Sequence, residues 1–111
     1  MPEPEAVLLY ITVPNRGEGV RIGKKLVAAR LAACANVYDG ATSIFHWDGQ
    51  VQEETEALLI AKMPASGVPA ATALVVDTHP YDCPCVVALP ISDGHPPFLQ
   101  WIGDEADGSA K

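Results

Sequence analysis

The stretch from residue 41 to residue 62 constrains this chain more than any other. Two β-patterned arms, 41–47 and 51–62, meet at Asp48-Gly49, a dipeptide that favours the type I′ turn of a two-residue hairpin. The second arm contains neither glycine nor proline. At ~3.4 Å per residue it reaches roughly 40 Å, about twice the usual strand length. A chain of 111 residues forms one domain, 1–111, whose core is too small to cover the far end of such a ribbon. Either the strand bends, or part of it pairs with another copy of the chain.

The elements around the hairpin follow from their punctuation. Residues 7–13 are apolar on both faces, as a central, doubly covered strand would be, and Pro14 ends them. Asn15 stands three residues before Glu18, a helix N-cap with its capping-box partner. A helical stripe of Ile22, Leu26, Ala29 and Ala33 then predicts a helix over about 16–33. Asp39-Gly40 marks a bulge ahead of the hairpin. Ser66 caps a second predicted helix reaching about Asp77, and 85–91 reads as a second buried strand. A short helix over 97–102 carries Phe98, Leu99 and Trp101, and 103–111 reads as a flexible tail beyond an ordered core of about 6–102. The order β-α-β-β-α-β is the ferredoxin-like α+β sandwich, with both helices on one face of an antiparallel sheet. The other face needs a cover, and neighbouring subunits are the economical one.

Composition narrows the function. Fourteen acidic against seven basic residues give a net charge of −7, which repels phosphate backbones and excludes nucleic acid as a partner. No apolar run approaches the ~20 residues that span a bilayer, and the first residues carry acid where a secretory signal carries base, so the expected compartment is the cytoplasm with no membrane partner. Three cysteines read as free thiols rather than a disulfide framework. Nucleophile elbow, P-loop, dinucleotide fingerprint, HExxH helix and paired CxxC knuckles are all missing, so no catalytic residue is assigned.

The motifs resemble the CutA divalent-cation-tolerance family. The matching pieces are Leu31-Ala32-Ala33-Cys34-Ala35-Asn36, Gly40-Ala41-Thr42-Ser43, Phe45-His46-Trp47-Asp48-Gly49, Glu54-Thr55-Glu56 running on to Lys62, His79-Pro80-Tyr81-Asp82-Cys83-Pro84, and Phe98-Leu99-Gln100-Trp101-Ile102. Together they cover residues 7–102 in order. The resemblance implies a PII-like homotrimer whose long hairpins pair between subunits, and a role in tolerance to copper and other divalent metal ions. Three positions depart from the family pattern: Gln50 stands for Lys, Met63 for Thr, and Cys85 for Glu. The last puts a soft thiol where a hard carboxylate is usual.

Two groups of residues are the candidates for chemistry. Cys83 and Cys85 flank Pro84 and could hold a soft ion such as Cu(I), with His79 and Cys34 as further ligands. The alternatives are a strand-leading thiol at Cys85, a core thiol at Cys34, and a His79 that caps the second helix. Glu54, Glu56 and Lys62 share one strand face and, with Tyr81 and Trp47, could line an inter-subunit cleft. Inter-subunit salt bridges that set trimer register would use the same residues.

Overall fold

A computed structural model of the chain describes residues 5–106. Its elements are β1 (Ala6–Val13), α1 (Arg16–Ala28), β2 (Cys34–Trp47), β3 (Gln50–Pro64), α2 (Val68–Thr78), β4 (Val86–Pro90) and α3 (Pro96–Glu105). The four strands form one antiparallel sheet in the order β2-β3-β1-β4. That is the expected ferredoxin-like α+β arrangement. Alternation along β1 and β3 sends Val7, Leu9, Ile11, Val13, Ala57, Leu59, Ala61 and Met63 to one face, where they pack with Ile22 and Leu26 of α1 and Ala71 and Val75 of α2. Two glycines bring α1 down onto the sheet. A Cβ at Gly19 would lie 2.9 Å from Val37 Cγ1, and one at Gly23 would lie 3.2 Å from Leu59 Cδ1.

The hairpin turns as its sequence demands: Asp48 and Gly49 have φ of 52° and 74°, both positive as a type I′ turn requires. Below the tip, between the Tyr38–Leu58 and Ala41–Glu56 pairs, two residues of β2 (Asp39 and Gly40) stand against one of β3 (Ala57), a bulge with Gly40 at φ 77°. β1 reaches only Ala57, so among the described residues 50–56 of β3 have β2 on one edge and no strand on the other. The projecting arm leaves Ile44, Trp47 and Val51 about two-thirds exposed. It also stretches the chain to 44 Å along its longest axis and a radius of gyration of 14.5 Å, against about 13 Å for a compact chain of this size.

Several boundaries differ from the sequence reading. α1 stops at Ala28, not near Ala33. Arg30 takes φ 60°, its N–H donates to Val27 O and that of Leu31 to Leu26 O, a Schellman stop without glycine. Burial of Leu31 and Ala32 and the bond from Arg30 to the Glu105 carbonyl hold it. Ser66 caps nothing; it sits in a 3₁₀ turn, Ala65–Gly67, that feeds α2. β4 is an edge strand rather than a buried one. It pairs with β1 alone, and Val87 and Leu89 remain half-exposed. β1 is central but fully covered on one face only, since Leu8, Tyr10 and Thr12 are half-buried on the other.

That second face is partly covered by α3, whose Phe98 ring lies 6.0 Å from Lys62 Nζ and stacks on Trp101. Residues 103–105, expected to belong to a tail, are helical instead, because α3 continues through Glu105. Gln100 bonds Asp104, and a fully buried Ala106 donates its N–H to Ile102 O. The remainder of that expected tail, 107–111, and the leader 1–4 lie outside the described residues.

Candidate functional site

The segment between α2 and β4 carries a chemistry-bearing motif that the fold ties down from several elements. Arg21 begins the anchoring from α1. Its guanidinium grips Glu18 at 2.7 Å and donates to the Thr78 carbonyl at the end of α2, also at 2.7 Å. The hydrogen bond to Arg21 holds the Glu18 carboxyl below its ordinary value. Next along the chain, His79 is buried, with 8% exposure. Its Nδ1 accepts the Tyr81 N–H at 3.0 Å, so the ring proton sits on Nε2 and is donated to the Thr12 carbonyl at 2.8 Å. Tyr81, tilted against the His79 ring at 4.8 Å, then donates its hydroxyl to Glu56 Oε2 at 2.6 Å. Burial first, then this bond and the charges of Glu56 and Glu54, push the Tyr81 phenol well above its ordinary range. The result is a relay from β1 through the loop to β3: Thr12 carbonyl, His79, Tyr81, Glu56.

The expected residues separate along this frame. Glu56 and Tyr81 are joined, and Glu54 is close enough for its charge to act on Tyr81. Lys62 lies six residues up β3 from Glu56, roughly 20 Å away. It donates to Asn36 Oδ1 at 2.8 Å and faces Phe98. Trp47 stands at the hairpin tip, paired with Gln50. Within one chain these five residues therefore form no single pocket. The four expected metal ligands separate too. Cys34 starts β2 opposite Lys62, His79 has both ring nitrogens engaged, and Cys83 and Cys85 are exposed near the β4 end of the loop. Among the described residues, no group of three or more His, Cys, Asp or Glu side chains could hold a metal ion. A single chain thus does not assemble Cys83, Cys85, Cys34 and His79 into one site, because His79 is spent on the backbone and Cys34 lies at the opposite end of the sheet.

Sequence reasoning missed the partners of these residues: the Thr12 carbonyl, Asn36 and Phe98. Nothing local marks a carbonyl 67 residues away as the acceptor of a histidine. It also missed an apolar groove of about 550 Å³ between α1 and the start of β2, lined by Val20, Lys24, Val27, Ala35 and Val37. No helix among the described residues is long and apolar enough to cross a membrane.

Comparison with known proteins gives a consistent result. The model of a family described as CutA1 divalent ion tolerance protein matches residues 7–105. A CutA homolog of Xenopus laevis is 45% identical over 95 residues, 86% of this chain and 63% of that protein. A divalent-cation tolerance protein of Thermus thermophilus is 44% identical over 95 residues, 86% of this chain and 92% of that one. The chain spans only about half to two-thirds of several curated relatives, 52% of the mouse protein among them. Of solved structures, rice CutA1 superposes with a TM-score of 0.90 at 38% identity, over 93% of this chain and 94% of that one. A protein of Archaeoglobus fulgidus described as periplasmic superposes with a TM-score of 0.88 at 35% identity, over 91% and 98%.

Proposed function

Because the chain belongs to the CutA1 divalent ion tolerance family, we propose that it is a cytoplasmic homotrimer serving the cell's response to divalent and heavy-metal ions, copper among them. The observation that carries the assembly is the half-built hairpin. Among the described residues the 50–56 edge of β3 has no neighbouring strand, and Ile44, Trp47 and Val51 stand exposed along the arm. An unpaired edge with apolar flanks is a template for another strand. β4, itself an edge strand, offers Val87 and Leu89 on the face that α1 and α2 leave uncovered. Pairing between copies would satisfy the edges and cover that face together.

Assembly also supplies what one chain lacks. The Glu54, Glu56 and Tyr81 group of one subunit would meet side chains of another, such as Lys62 or Trp47, and form the cleft between subunits. Such a cleft supports a second reading, a PII-like trimer that holds a small metabolite, through the Tyr81–Glu56 pair at its mouth. Three thiols in 111 residues with no pairing suit a reducing compartment.

Sedimentation at micromolar concentration tests the assembly, with a trimer expected. Trp47→Glu together with Val51→Glu should shift it towards the monomer, since each charge would enter an apolar contact. A wild-type monomer would refute the trimer. Calorimetric titration of the trimer with Cu²⁺ tests the ion reading, and the absence of any heat above the buffer blank would refute direct binding.

A further inference from the structure

From the free edge of β2 and the groove beside it, we infer a docking surface for an extended segment of another protein, one that carries two apolar residues and a carboxylate at alternate positions. β2 is the last strand of the sheet, so among the described residues 34–38 pair with β3 on one side and with no strand on the other. Edges of this kind are ordinarily blocked by charge, proline or a bulge. Cys34 to Tyr38 carry neither charge nor proline, and the bulge at Asp39-Gly40 comes only after them. Five residues leave roughly 17 Å of backbone that another strand can pair with.

The side chains along that edge select what is added. Ala35 opposes Ala61 and Val37 opposes Leu59, on the face that α1 covers. α1 does not close over them: the groove of about 550 Å³ lies between Val20 and Val27 on the helix and Ala35 and Val37 on the strand, and Val27 stays 39% exposed. A strand added to β2 turns every second side chain into this groove. Of the described residues that line it, Lys24 alone is charged. Five of the seven basic residues of this acidic chain fall within 16–30, against the single acid Glu18. Arg21 is paired with Glu18 and Arg30 with Glu105, and neither ion pair involves Lys24. The groove is thus a basic spot on a chain of net charge −7, and a carboxylate two residues from an apolar side chain complements it. A recess beside a strand edge fits a peptide and not a flat bilayer.

This surface goes beyond the divalent-ion reading and needs no metal. The strand pairing proposed for the trimer uses β4 and the 50–56 edge of β3, which leaves the β2 edge free. The probe is a fluorescein-labelled peptide, Thr-Leu-Thr-Leu-Thr-Glu-Thr, followed by anisotropy against the full chain, and saturable binding below about 1 mM is expected. Lys24→Glu and Val27→Glu should each weaken it about 10-fold or more, because each sets a carboxylate against that of the probe. Lys25→Glu makes the same charge change on the same helix, outside the groove lining, and should stay within about twofold. All three positions are exposed, and sedimentation checks that each variant keeps its assembly. Alternate N–H groups of an added strand face β2, so of two probes, N-methylated at the leucines or at the threonines, at least one should lose binding. Equal loss in Lys24→Glu and Lys25→Glu would reduce the effect to diffuse charge and overturn the site. Retained binding of both methylated probes would overturn strand addition. Dissociation of the wild-type assembly by the probe would assign the edge to a contact between copies and overturn the proposal, as would the absence of binding.

Discussion

Replacing Tyr81 by phenylalanine removes one oxygen, and the structure gives that oxygen a definite contribution. The hydroxyl donates at 2.6 Å to a carboxylate on Glu56, a residue only 8% exposed. Hydrogen bonds to charged groups contribute about 1.5–3 kcal/mol. Tyr81 itself is half-buried, so water can partly replace its hydroxyl and the low end applies: about 1.5 kcal/mol. A double-mutant cycle with Glu56→Gln isolates the pair, and coupling of about 1 kcal/mol is expected between residues that share one bond. Urea unfolding at a fixed protein concentration is the assay, because assembly adds to apparent stability. The midpoint should fall while the slope stays constant.

The pH dependence supplies an independent sign. The Tyr81 phenol is raised in the folded state by burial, by the bond to Glu56 and by the nearby carboxylates. A raised folded value favours the protonated phenol, so this contribution is complete below the ordinary tyrosine value of about 10 and is lost as pH rises beyond it. The gap between wild type and Tyr81→Phe should be constant from pH 6 to about 9 and close above about 10. Coupling below about 0.5 kcal/mol, or a gap that persists into strong alkali, would refute the reasoning.

Other consequences follow from the same geometry. His79→Ala leaves both the Thr12 carbonyl and the Tyr81 N–H without their partner and should cost about 2–3 kcal/mol. Hydrogen exchange should quicken at the Tyr81 amide; unchanged exchange there would contradict the relay. Gly19→Ala places a methyl 2.9 Å from Val37 Cγ1 and 3.3 Å from Val13 Cγ2, and overpacking of about 1–3 kcal/mol should exceed the gain in helix propensity. Gly17→Ala, exposed and meeting nothing nearer than 3.4 Å, should instead stabilise by about 0.5–1 kcal/mol, so thermal melts of the two variants should move in opposite directions.

Much of the fold was legible because it rests on neighbours in sequence. Asp48-Gly49 tolerates two consecutive positive φ values, and the chain turns there. Asn15 accepts the Glu18 N–H at 2.9 Å, as a capping residue three positions ahead must. Alternation in β1 and β3 marked the core face, and the order of elements limited the topology to one antiparallel sheet. Of the candidate site, the histidine, tyrosine and carboxylate could be named from the chain alone, and so could the two loop thiols.

What tertiary structure alone decided depends on residues far apart. α1 ends at a left-handed arginine because Leu31 and Ala32 become buried and Glu105, 75 residues on, receives the guanidinium. β4 reads as a buried strand by its hydrophobicity, yet it lies at an edge because β3 occupies the other side of β1. His79 has the composition of a ligand and the surroundings of a strut, since a carbonyl on β1 and an amide two residues away take both nitrogens. Local spacing records which way a side chain points along its own element. Whether that direction meets solvent, a carbonyl or another strand is set by packing between elements, and that packing exists only once the chain has closed on itself.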